Sequence, residues 1–232
     1  MERLKLFHMA IPGRLHARTF RCLWLLEELG VEDFEVCMIT PGVPYAPQMR
    51  ERGMQVATKL PAVLIDGKEI GESGVICQLI AERFRNLKDL LGTKDERVDL
   101  LQWIGFAETC VMFRVPLIPL LMKADSDLKT IRDDVIEPYW RVLEGNVQRF
   151  EAHFEEKGTE FLLGSGFSVA DAMCGWSLFT FHNWRLMDLA TGHSPLTLTY
   201  LERLRSRPAF QRTEKYAELD PGFYSRTELN LG

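Results

Sequence analysis

The residues with the most chemistry per position meet at one predicted strand-to-helix junction, Glu72-Ser73-Gly74. A helix beginning there presents first-turn amide donors and the positive end of its dipole, which favour a carboxylate beside the Ser73 hydroxyl. Glu72 supplies the opposite charge, so the pair suits a group that carries a carboxylate and an ammonium together. An ordinary N-cap also asks for a serine at this position, and both readings stand. Upstream, Leu60-Pro61 opens a predicted strand, where proline removes a backbone donor and permits a cis bond. A cis turn would expose the peptide groups of Leu60 to a ligand that adds as a strand does, while an edge-strand proline accounts for the same residues. Ser168 and Asp171 have the spacing of a capping box, with Ser168 accepting from the Asp171 amide and Asp171 reaching back to the Ser168 amide. Their role is structural.

The elements that must hold these residues follow from periodicity. Leu4 to Met9 is a short apolar run ending at Pro12-Gly13 and reads as a strand. Cys22, Leu25, Leu26 and Leu29 recur at helical spacing, with Gly30 as the stop, so a helix begins near His16 to Thr19. Phe34 to Ile39 reads as a second strand, completing a βαβ unit with parallel pairing. Asp66-Gly67 between Ala62 to Ile65 and Lys68 to Ile70 marks a hairpin. Ile76, Leu79 and Ile80 begin another helix. The polar stretch from Asn86 to Arg97 closes this layer, and every later periodic segment has helical spacing. Trp103, Phe106, Ala107 and Cys110 mark one helix, and Val169, Ala172, Met173 and Trp176 another. The expected organisation is an α/β domain over 1–86, a linker over 87–97 and an all-helical domain over 98–232.

Composition narrows the function classes. With 232 residues, 46% of them apolar, the chain can bury a sizeable core. The net charge of −5 leaves no surplus to neutralise a phosphate backbone, so no nucleic-acid partner is expected. Val115 to Met122, the richest apolar stretch, is short and broken by Pro116 and Pro119, so no membrane span is expected. Five dispersed cysteines (Cys22, Cys37, Cys77, Cys110, Cys174) show neither CxxC nor metal-ligand spacing and read as reduced core residues, with no metal site. The N-terminus has no uninterrupted signal-peptide core, and a cytoplasmic protein is expected.

Several of these segments resemble the cytosolic glutathione S-transferases of bacteria and fungi. Ala17-Arg18-Thr19-Phe20-Arg21-Cys22-Leu23-Trp24-Leu25-Leu26-Glu27-Glu28-Leu29-Gly30 resembles the family's first helix, in which a Ser-Arg-Ser-type start precedes LWLLEELG. Lys59-Leu60-Pro61-Ala62-Val63-Leu64 with Glu72-Ser73 resembles the glutathione-site segment. Phe167-Ser168-Val169-Ala170-Asp171 resembles the opening of a buried second-domain helix, and Arg207-Pro208-Ala209-Phe210 the segment near its end. The resemblance implies a thioredoxin-like N-terminal domain of βαβββα order with an all-α C-terminal domain, a cis bond at Leu60-Pro61, and glutathione as co-substrate. It implies glutathione binding by Lys59, Leu60, Pro61, Glu72 and Ser73, with Lys59 or Arg18 for the glycyl carboxylate. It further implies a pocket for a small hydrophobic electrophile along Trp103, Phe106, Cys110 and Phe113, a helical stripe that reads equally as plain core, and a homodimer.

The family's chemistry is attack by the glutathione thiolate, held by a Tyr, Ser or Cys near the end of the first strand or the start of the first helix. Phe7 to Thr19 contains none of these, and Ala17 stands in place of the usual serine. Thr19, Arg18 and His16 remain as donors to the sulfur. The expected function is therefore a glutathione-dependent transferase acting by conjugation or a related displacement. The alternative is a glutathione-binding or partner-binding module without catalysis. Thiol–disulfide exchange fits least, because Cys22 lies too far into its helix.

Overall fold

The computed structural model describes residues 3–9, 17–56, 59–108, 137–183, 194–219 and 222–229. It divides into two compact units, one of Met1–Leu91 with Arg205–Gly232 and one of Gly92–Leu204.

In the first unit, strand β1 (Leu4–His8) pairs in parallel with β2 (Phe34–Met38), and helix α1 (Thr19–Leu29) connects them. Alternation puts Phe7 on one sheet face, where it packs with Cys37, Ile39, Met49, Met54 and Ala62. Met49 lies on α2 (Tyr45–Arg50), a helix whose six-residue segment carries no periodic signal in the sequence. Strands β3 (Ala62–Ile65) and β4 (Lys68–Gly71) form the predicted hairpin. Asp66 at φ 49° and Gly67 at φ 73° both adopt the left-handed conformation that a two-residue turn of this kind requires. Helix α3 (Ser73–Arg83) follows and packs against α1. Nearly every α1 residue is buried, and Gly30 at φ 69° ends the helix with Val31 N–H donating to Leu26 O at 3.0 Å.

The segment from Arg205 departs from the expected helical domain over 98–232, because it packs within the first unit and contains a strand. Helix α8 (Pro208–Glu214), numbered after the four helices of the second unit, sets Phe210 edge-on to Trp24 with centroids 4.9 Å apart. Strand β5 (Phe223–Ser225) pairs antiparallel with β2 and gives the sheet order β4-β3-β1-β2-β5. The physical reason is in α1. Glu27 is buried there and accepts from Arg212 Nε at 2.7 Å, Tyr216 Oη at 2.7 Å and Arg226 Nε at 2.5 Å. A buried carboxylate needs such partners, and they come from residues 212–226.

The second unit contains α4 (Arg97–Phe106), α5 (Glu137–Lys157), α6 (Val169–Asn183) and most of α7 (Pro195–Arg205). Asp171 is its polar centre. One carboxylate oxygen accepts from Ser168 N at 2.8 Å and Ser168 Oγ at 2.9 Å, and the other from Leu162 N at 2.9 Å and Tyr200 Oη at 3.0 Å. The capping box therefore forms with one change. Ser168 Oγ accepts from the Ala170 amide at 3.2 Å, while the Asp171 amide donates to the Ser168 carbonyl at 3.1 Å. Among the described residues, no helix is long and apolar enough to cross a membrane, and no group of three or more potential ligands could hold a metal ion.

Candidate functional site

The site lies within the first unit, where β4 turns into α3. Glu72 makes this turn at φ 61°, ψ 110°, a conformation that costs a non-glycine residue on the order of 1–3 kcal/mol and that concentrates at ligand sites. Val75 N and Ile76 N both donate to Glu72 O at 3.0 Å, so the amides of Ser73 and Gly74 precede the first intrahelical donors. Helix α3 has no acid in its first turn to occupy that end.

A cleft of about 290 Å³ opens there, lined by Arg18, Val56, Lys59, Leu60, Pro61, Glu69, Gly71, Glu72 and Ser73. The structure thus brings together Lys59, Leu60, Pro61, Glu72 and Ser73, named from the sequence for one ligand, and adds Arg18, the N-cap residue of α1. The Leu60-Pro61 bond is cis. Sheet pairing of β3 begins at Ala62, so the peptide groups of Leu60 lie outside the ladder. Its side chain is partly buried against the α2 face of the sheet.

Charges of both signs line the cleft. Lys59 Nζ stands 3.7 Å from Glu72 Oε1 with both side chains largely exposed, a pair weak enough for a charged ligand to replace. Glu69 accepts from the backbone amides of Gln55 and Val56, holding that loop to the hairpin. Glu69 carries no signal of this role in the sequence, because its place in a short strand of alternating character reads as a solvated face. Below the cleft, Arg21 is fully buried, and its Nη1 donates to Ser73 Oγ at 3.0 Å.

The three predicted thiolate donors fall in different places. Arg18 lines the cleft. Thr19 is fully buried, and its hydroxyl has no hydrogen-bond partner among the described residues. His16 lies outside the described residues, as do Cys110 and Phe113 of the predicted second pocket. Trp103 and Phe106 are buried in the second unit, with ring centroids 5.6 Å apart, and Trp103 stacks on Phe150 at 5.1 Å. His8 ends β1 as a buried side chain, and burial lowers its pKa to about 4, so its ring is neutral at neutral pH. No cysteine is among the described residues that line the cleft. Burial pushes the Cys37 thiol up to about 12, which keeps it protonated and unreactive.

Residues 18–88 match the model of the glutathione S-transferase N-terminal domain. Solved structures resemble nearly the whole chain. A glutathione transferase from Methylococcus capsulatus is 24% identical with a TM-score of 0.69, over 94% of this chain and 100% of that one. The chain has the glutathione S-transferase fold. A glutathione S-transferase from Xylella fastidiosa is 18% identical with a TM-score of 0.74, again over 94% of this chain and 100% of the other. Ure2p5 from Phanerochaete chrysosporium, cocrystallised with 1-(S-glutathionyl)-2,4-dinitrobenzene, is 17% identical with a TM-score of 0.70 over 94% and 96%. A search of curated proteins found no match. Within this fold, the cleft at the start of α3 belongs to the matched N-terminal domain.

Proposed function

We propose that the cleft binds glutathione and that the protein is a glutathione-dependent transferase, presenting the thiolate to a small hydrophobic electrophile. The observation that carries this reading is the meeting of Glu72, Ser73, Lys59 and Arg18 in one cleft with Leu60, whose peptide groups lie outside the sheet ladder. The γ-glutamyl α-carboxylate suits the Ser73 hydroxyl and the α3 amides, and the α-ammonium suits Glu72. The cysteinyl backbone suits Leu60 as an added strand, and the glycyl carboxylate suits Lys59. The Phanerochaete protein was crystallised with a glutathionyl conjugate of an aromatic ring, which is the product class this reading expects.

Activation requires stabilising the thiolate. A free thiol with a pKa near ~8.5 is mostly protonated at pH 7, and lowering it by ~2 units takes about 2.7 kcal/mol. Arg18 is the described donor in the cleft, with the first turn of α1 behind it, and Thr19 and His16 remain in the proposal as further donors. The non-catalytic binding module is the second reading, favoured by Ala17 and by the enclosed Thr19 hydroxyl. Pairing as a homodimer, a second-substrate pocket along Trp103 and Phe106, and a cytoplasmic setting belong to the same proposal.

Two measurements test it. Calorimetry with parent, Ser73→Ala and Glu72→Ala proteins should show about tenfold or greater loss of glutathione affinity in each variant. Unchanged affinity in both would remove the site assignment. Ultraviolet titration of bound glutathione should give a thiol pKa below the free value in the parent, rising in Arg18→Leu. Binding with no lowering at all would favour the binding-module reading.

A further inference from the structure

A fully buried guanidinium is costly to hold out of water, and Arg21 holds one directly beneath the cleft. It lies one helical turn after Arg18 on α1, so the two arginines share a face, one lining the cleft and the other behind it. Its Nη1 donates to Ser73 Oγ at 3.0 Å, and Ser73 is the first residue of α3 and a cleft residue. A serine oxygen that accepts from a guanidinium has one lone pair fixed on the protein side. Its own O–H is then directed away from the cation, and a charge-assisted bond polarises the hydroxyl into a stronger donor.

We propose that Arg21 is a positioning residue for recognition of the γ-glutamyl α-carboxylate, acting through Ser73. This rests on the proposed glutathione site and names how that site tells one ligand from another. Arg21 orients and polarises the Ser73 hydroxyl as a donor towards the carboxylate, at the N-terminus of the 11-residue α3. The site thereby selects peptides with a free α-carboxylate at the γ-linked residue over those without it. Arg21 does not touch the ligand.

The test is calorimetry with two probes, glutathione and its analogue with 4-aminobutyrate in place of the γ-glutamyl residue, which lacks only that carboxylate. The parent should prefer glutathione by about tenfold or more. Arg21→Met and Arg21→Gln, which keep side-chain bulk and remove the charge, should each reduce this preference to about threefold or less while changing analogue affinity little. Arg21→Lys, which keeps a cation, should recover most of the preference. In the Ser73→Ala background, Arg21→Met should cost nothing further, because its effect passes through the hydroxyl. A general loss of packing would weaken both probes alike and leave the preference unchanged. That result, or additive losses from Ser73→Ala and Arg21→Met, overturns the inference while the glutathione site stands. A parent protein that binds neither probe overturns both.

Discussion

Each unit is organised around one buried carboxylate, and the two are satisfied by opposite means. Glu27 in the first unit faces the guanidinium groups of Arg212 and Arg226 and the Tyr216 hydroxyl. Asp171 in the second unit receives two amides and two hydroxyls, all neutral. Burial raises the Glu27 pKa, but the bonds from Arg226, Arg212 and Tyr216 outweigh it and leave the acid below its ordinary value. Burial also raises Asp171, and there the bonds from Leu162, Ser168 and Tyr200 do not outweigh it, so its pKa stands at about 6. Hydrogen-bond donors alone orient a buried acid, whereas counter-charges are what keep it ionised.

The largest test of this contrast is Asp171→Ala. It strands four donors inside the second unit and should cost about 4 kcal/mol or more, read as a shift in denaturant midpoint. A loss under about 1 kcal/mol would mean that these bonds are not what holds the unit together.

The next effect is a pH tilt of opposite sign in the two units. Asp171 is raised from 3.8 to about 6 on folding, so its contribution is whole below pH 4 and is lost as pH rises through 6. The loss is at most about 3 kcal/mol, and Asp171→Asn should flatten the stability profile between those values. Glu27 is lowered from 4.5, so its contribution is present above pH 4.5 and is lost as pH falls through its folded value. Equal slopes in parent and Asp171→Asn from pH 4 to 6 would contradict the assignment.

The smallest effect separates the two by ionic strength. Glu27→Gln should cost about 2 kcal/mol, because Arg212 and Arg226 are partly exposed and water replaces some of the lost pairing. That cost should shrink in 1 M salt relative to 0.05 M, while the cost of Asp171→Ala should not. If both respond alike, the distinction between charged and neutral partners fails.

Much of the fold was legible because local rules and tertiary packing agree. Gly30 stops α1, Asp66-Gly67 turns the hairpin, and Asp171 reaches back to Ser168, each as the residue types dictate. The residues named from Lys59 to Ser73 share one cleft because a short hairpin separates them and leaves little freedom. Helix α2 was hidden because Tyr45–Arg50 is too short for periodicity and carries Pro47 inside. Strand β5 was hidden because three residues carry no alternation, and its partner β2 lies far away in sequence. Glu27 was hidden as well, since Glu27-Glu28 in a helix reads as a solvated face until Arg207, Arg212 and Arg226 are placed against it. Arg21 was visible as a charge in an apolar helix, but its bond to Ser73 depends on how α1 and α3 pack.

The outer strand also sets an order of events during synthesis. A ribosome delivers β1, α1, β2 and the hairpin early, yet the residues that pair with β2 and neutralise Glu27 emerge only after the whole second unit has been made. Until then the nascent chain carries an unpaired strand edge and a buried acid without its cations, a state open to association with other chains. The second unit, continuous from Gly92 to Leu204, has no such wait. The helical unit therefore has all its parts in hand before the unit that begins the chain, and the nascent polypeptide is most exposed to chaperones and misassembly between those two moments.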